Sequence, residues 1–165
     1  MSSEDNKILV RRFFDEVWNE GKTKEVRSIV SNDWLPFDPA LDYIRPRSGT
    51  QGITTFVEVY RAAFPDLKFS VKEIIAEEGM VVTHFEAQGT HSGEEVRVSF
   101  LGHGNFTIQP TGRKVKEKGV SINHITTSAK SAGIVRQIKS NSWYWREIGL
   151  LQALAVLQMK KRSHE

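Results

Sequence analysis

The chain has 165 residues, 39% of them hydrophobic and 10% aromatic, which suits one domain over 1–165 with a core at about 4–158, because domains commonly run to roughly 100–150 residues. Its 23 cations are set among 20 acids for a net charge of +3, so no basic stripe points to nucleic acid, and the run Lys160-Lys161-Arg162 reads as part of a solvated basic tail at 159–165. The absence of cysteine excludes disulfides, thiolate nucleophiles and Cys-based metal sites, and no stretch approaches the roughly 20 apolar residues of a membrane span.

The polar, acidic start Met1-Ser2-Ser3-Glu4-Asp5 lacks the form of a secretory signal, so the expectation is a soluble cytoplasmic protein without membrane partner. Ser3 followed by Glu4 and Asp5 predicts a helix start, since a hydroxyl can accept a free N–H and acids favour the positive helix end. Leu9, Val10, Phe13, Phe14, Val17 and Trp18 then recur at three- and four-residue spacing until Gly21, predicting a long amphipathic helix. A shorter helix follows with Val26, Ile29 and Val30 on one face. Residues 31–48, with three prolines, read as irregular. Ile53, Phe56, Val57, Tyr60 and Phe64 mark a third helix ended by Pro65.

From Leu67 the period changes to two. Leu67, Phe69 and Val71 alternate with polar residues, Glu78-Gly79 gives a turn and 80–89 alternates again, which predicts a hairpin. Strand-like stretches follow at about 94–108 and 114–126, joined through Pro110-Thr111-Gly112, and a last strand at about 134–144 runs into a helix with Ile148, Leu151, Leu154 and Ala155 inside. Helices, then long strands, then a closing helix is an α+β plan. A curved, mostly antiparallel sheet wrapped by N-terminal helices leaves a cone able to hold one small apolar molecule.

Five motifs in order, Asn6-Lys7-Ile8-Leu9-Val10-Arg11-Arg12-Phe13-Phe14, Ala63-Phe64-Pro65-Asp66-Leu67, Gly89-Thr90-His91-Ser92-Gly93, Pro110-Thr111-Gly112-Arg113 and Gly149-Leu150-Leu151-Gln152, together resemble the SnoaL-like polyketide cyclases of the nuclear transport factor 2-like superfamily. The resemblance covers residues 6–154. It implies the same α+β barrel and a pocket in the cone, and a cofactor-free cyclase, isomerase or epoxide-opening activity on a polyketide- or terpenoid-type secondary metabolite. It also implies a homodimer, because superfamily members often pair through the open sheet face. Glu94 to Gln109 and Thr126 to Gly133 are longer than the family's usual links.

Candidate chemistry rests on few residues. His84 and Glu86, two apart on a strand, share a face and could act as an acid and base pair if that face lines the cone. Their spacing is similar to an Arg and Asp pair of the limonene epoxide hydrolases. His124 matches the strand position where the cyclases place a pocket histidine, and an imidazole titrates near neutral pH. The Asp that these cyclases carry before Gly149 is absent: in direct register the position is Arg146, or Ser142 if the last strand bulges. Asp38 matches a family Asp-Pro site and would orient substrate, while Phe37 stands where the family often has His and makes the wall more apolar. Trp34, Tyr60, Trp143 and Trp145 are aromatic candidates for the pocket wall, with Arg146 beside them. The alternative to an enzyme is a binding protein that carries an apolar molecule. No His-Glu-x-x-His or Gly-x-Gly-x-x-Gly pattern occurs, so neither metal nor nucleotide cofactor is expected.

Overall fold

In a computed structural model, residues 2–37, 48–99, 105–131 and 133–145 are described. Helix α1 spans Ser3–Arg12, with Glu4 and Asp5 in its first turn and Arg11 and Arg12 in its last, each charge opposing the helix dipole. The chain does not stop there. It continues in the wider π-helical geometry over Phe13–Asn19, and Phe13, Phe14, Val17 and Trp18 are all buried, as the periodicity predicts. Burying such side chains stabilises by about 1.5–3 kcal/mol each. The end of this helix is tied down twice. Asn19 Nδ2 donates to the Phe69 carbonyl at 2.9 Å while Asn19 Oδ1 accepts from Phe69 N–H at 2.7 Å, and Arg61 Nη1 donates to the Trp18 and Asn19 carbonyls.

Helix α2, Val26–Ile29, is a single turn, and strand β1, Val30–Phe37, follows directly. The expectation of an irregular segment is corrected here. Asn32, Asp33 and Pro36 argue against a strand in sequence, but β1 lies at the sheet edge, where a proline costs no ladder bond, and its register with β7 breaks between Val30 and Leu35. Helix α3, Gly49–Ala63, buries Ile53, Phe56 and Val57. Strands β2 (Lys68–Glu77) and β3 (Met80–Thr90) form the predicted hairpin around Glu78 and Gly79, both at positive φ.

The single stretch expected at 94–108 is instead a separate two-stranded ribbon, β4 (Val96–Ser99) with β5 (Asn105–Ile108). Strands β6 (Lys114–Lys130) and β7 (Gly133–Trp145) complete a five-stranded sheet of order β1-β7-β6-β3-β2. All its pairings are antiparallel except β1 with β7. The expected closing helix lies outside the described residues.

The helices cover one face of this curved sheet. On β3 the alternation is strict: Val81, Thr83, Phe85 and Ala87 are buried while Val82, His84 and Glu86 are half-buried on the other side. Phe14, Trp18, Phe69, Phe85 and Trp143 meet as a ring cluster with centroids 5.2–5.9 Å apart. Gly119 permits that cluster. A Cβ there would lie 2.5 Å from Phe85 Cζ.

Candidate ligand-binding site

The inward face of the sheet is not uniformly apolar. Thr83 on β3, Ser121 and Asn123 on β6, and Asn141 on β7 are each fully buried. They are neighbours by register: Thr83 stands opposite Ser121, which stands opposite Trp143, and Asn123 stands opposite Asn141. Such cross-strand partners have Cβ atoms about 4.5–5.5 Å apart. Asn123 Nδ2 donates to Ser121 Oγ at 3.0 Å and to the Val81 carbonyl at 3.3 Å. The remaining polar atoms find nothing. Thr83 Oγ1, Asn123 Oδ1, both side-chain polar atoms of Asn141 and the nearby Trp18 Nε1 have no hydrogen-bond partner among the described residues. Each such buried group costs about 1–3 kcal/mol, so the cluster is a costly feature of the inward face.

The ends of this face carry charge and its middle does not. Arg136 lies toward α1, where its Nη2 is 3.4 Å from Asp5 Oδ2. At the far end Glu117, opposite Ala87, is half-buried and in phase with Val115 and Gly119. Trp143 is inward and in contact with the ring cluster, yet only partly buried.

The residues that looked catalytic in sequence lie elsewhere. His84, Glu86 and His124 all sit on the outer face, so the expectation that their side chains line the cone is corrected: the period-two alternation puts Val81, Thr83 and Phe85 inside and these three outside. His84 Nδ1 is 3.0 Å from Glu73 Oε2. Glu86 Oε1 pairs with Lys116 Nζ at 3.1 Å and Lys72 Nζ at 3.9 Å, and the Lys116 hydrogen bond holds its carboxyl below the usual range. His124, opposite Met80 and Ser140, is exposed. These contacts are ordinary sheet decoration.

Of the aromatic candidates, Trp143 lines the inward face and Tyr60 packs edge-on against Trp18 at 6.0 Å. Trp34 is buried against Phe56, its Nε1 without a partner among the described residues. Phe37 and Trp145 close β1 and β7, but their side chains, like Asp38 and Arg146, lie outside the described residues. Ser142 is opposite Ile122 on the outer side. His91 is buried and structural: it stacks on Phe64 at 5.1 Å, its Nε2 donates to the Glu94 carbonyl, and its Nδ1 accepts from Thr111 N–H at 3.4 Å. Among the described residues no group of three His, Asp or Glu is placed to hold a metal ion.

A family model for SnoaL-like polyketide cyclases matches residues 8–130. The chain belongs to this family. Solved structures with the same fold include TsrD from Streptomyces laurentii, at 16% identity and a TM-score of 0.71 over 95% of this chain and 99% of that one. A candidate polyketide cyclase from Acidithiobacillus ferrooxidans shows 21% identity and 0.68 over 96% and 100%, and a SnoaL-like polyketide cyclase from Agrobacterium tumefaciens 14% and 0.64 over 93% and 99%. No curated protein matches the chain. Within the SnoaL-like fold, sequence reasoning missed Thr83, Ser121, Asn123, Asn141 and Glu117. The available signal was phase: these polar residues fall on the same alternation as Val81, Phe85 and Gly119, whereas the conspicuous charges fall on the other.

Proposed function

We propose that this SnoaL-like domain takes a small, largely apolar metabolite of the polyketide or terpenoid kind into its cone and fixes one polar end of it on Thr83, Asn123 and Asn141. The observation that carries this is the set of buried, unpartnered polar atoms in the uncharged middle of the inward face, beside the ring cluster. Aromatic walls supply contact area while a few placed polar groups set orientation, the usual division in ligand sites. Trp18 and Trp143 report occupancy directly. Titration with aromatic polyketides should quench tryptophan emission saturably, and Trp143→Phe should remove most of the change. Absence of saturable binding across polyketide and terpenoid series up to millimolar concentration overturns the proposal.

A second reading, turnover without a cofactor, is favoured by Glu117, the half-buried carboxylate in phase with the inward face. Glu117 would take a proton from an activated carbon at one end of the ligand while Asn141 holds a polar group at the other end. Asn123, opposite Asn141, lies six residues from Glu117 along β6, about 20 Å at the rise of a strand, a span that an extended, multi-ring metabolite can bridge. Product formation that Glu117→Gln lowers roughly a hundredfold or more, with ligand affinity retained, supports this reading. Binding without product from any candidate leaves the carrier role.

The outer face fits a homodimer. Ile75, Val82 and Ile122 form a row across three strands, flanked by Val120 opposite Tyr144, and Ile75 and Tyr144 are exposed by 68% and 61%. Two-fold pairing through this face would cover them. Light scattering should give twice the monomer mass, and Ile122→Lys should halve it.

A further inference from the structure

We infer that the ligand of this cone is neutral where it meets the sheet and presents a hydrogen-bond donor beside an acceptor, as a carboxamide, an enolised 1,3-dicarbonyl or a hydroxy-ketone does. This rests on the cone-binding reading above and narrows it. The unpartnered atoms are of both kinds. Asn141 Nδ2 and Trp18 Nε1 only donate, Asn123 Oδ1 and Asn141 Oδ1 only accept, and Thr83 Oγ1 does either.

Asn141 decides the pattern, because one planar amide offers its donor and its acceptor side by side, and a ligand group that matches it must carry the complementary pair. A carboxylate fails this test. Both its oxygens accept, so it would face Asn123 Oδ1 and Asn141 Oδ1 with lone pair against lone pair, and its charge would enter a buried region with no cation at the cluster among the described residues. Arg136, the cation described on this face, lies further along β7; its Nη2 is 3.4 Å from Asp5 Oδ2, and its Nε is buried without a partner among the described residues. A bare ketone satisfies the donors and leaves the acceptors empty. An ammonium group does the reverse. Burial without pairing is costly for each orphaned group, so the donor and acceptor pair is selected over its isosteres.

The test uses three ring compounds of nearly one shape: benzamide, acetophenone and benzoate. Affinities are measured by NMR on the full chain, with the side-chain amide resonances of Asn123 and Asn141 as the local readout. Benzamide is expected to bind at least tenfold tighter than acetophenone and benzoate and to shift both amide resonances. Asn141→Leu should erase that preference while acetophenone still binds, and Thr83→Val, a milder change of similar shape, should reduce it several-fold. Equal affinities for benzamide and acetophenone, or tighter binding of benzoate, overturn the inference while leaving the cone-binding reading in place. If none of the three binds and tryptophan emission responds to no larger polyketide or terpenoid, the cone-binding reading fails first. Ligand-induced shifts confined to residues away from Asn123 and Asn141 also count against the inference.

Discussion

The two faces of one sheet divide the chemistry of this protein in an unexpected way. The outer face holds the charges, with His84 on Glu73 and Glu86 on Lys116 and Lys72. The middle of the inner face, between Arg136 and Glu117 at its ends, holds neutral hydroxyls and amides with too few partners. Charge attracts notice in a sequence, but water satisfies charges cheaply at a surface, where an ion pair contributes about 0–1 kcal/mol. A neutral amide buried without a partner is the rarer event. It identifies the functional face better than the histidines do.

That contrast can be broken most forcefully at its apolar frame. Phe85→Ala should destabilise by about 3–5 kcal/mol in urea unfolding, since Phe85 is fully buried among Phe14, Phe69 and Trp143. A loss below 1 kcal/mol would mean the ring cluster does not hold the cone. Next comes a change of opposite sign. Thr83→Val replaces an unpartnered buried hydroxyl by a methyl and should leave the unliganded protein equally stable or up to about 1 kcal/mol more stable, whereas a clear loss would show that the hydroxyl is satisfied.

On the outer face, His84→Ala and His124→Ala should each stay within about 0.5 kcal/mol of the parent and leave ligand affinity unchanged. A tenfold loss of affinity in either would return them to the site. The smallest effect is with pH. The Glu86 carboxyl is lowered by Lys116, and Asp66 by the Thr90 N–H and hydroxyl that it accepts at 2.6 and 2.8 Å. For a depressed carboxyl the stabilisation is fully present above the unfolded value, about 4. It is lost as pH falls through the folded one. Unfolding midpoints should therefore drop slightly below pH 4 and recover part of that drop in Glu86→Gln, and an unchanged acid slope in that variant would remove Glu86 from the account.

The sequence made the helices and the first hairpin legible because each announces itself locally. Phe13 to Trp18 repeat at helical spacing, and Val81 to Ala87 alternate across a turn at Glu78-Gly79. Strand β1 was hidden because its pairing is with β7, a hundred residues away, and because Pro36 is tolerated only through its place at the edge. The site was hidden for a different reason. Alternation shows that Ser121 and Asn123 share one side and that His124 takes the other, but it does not say which side the helices cover. Only the packing of Phe14 and Trp18 against Phe69, Phe85 and Trp143 decides that.

The edge pairing of β1 with β7 has a consequence for how the protein is born. Pro36 is opposite Asn141, so the strand carrying the pivotal amide docks onto a segment made early in synthesis. At about 5–20 residues per second, several seconds pass between the two leaving the ribosome. During that interval β1 has no strand to pair with, and closing so long a loop is slow. The β1 edge thus stays unpaired until β7 arrives, and a truncation before Gly133 should yield an aggregating polypeptide with no ligand affinity rather than a weakened binder.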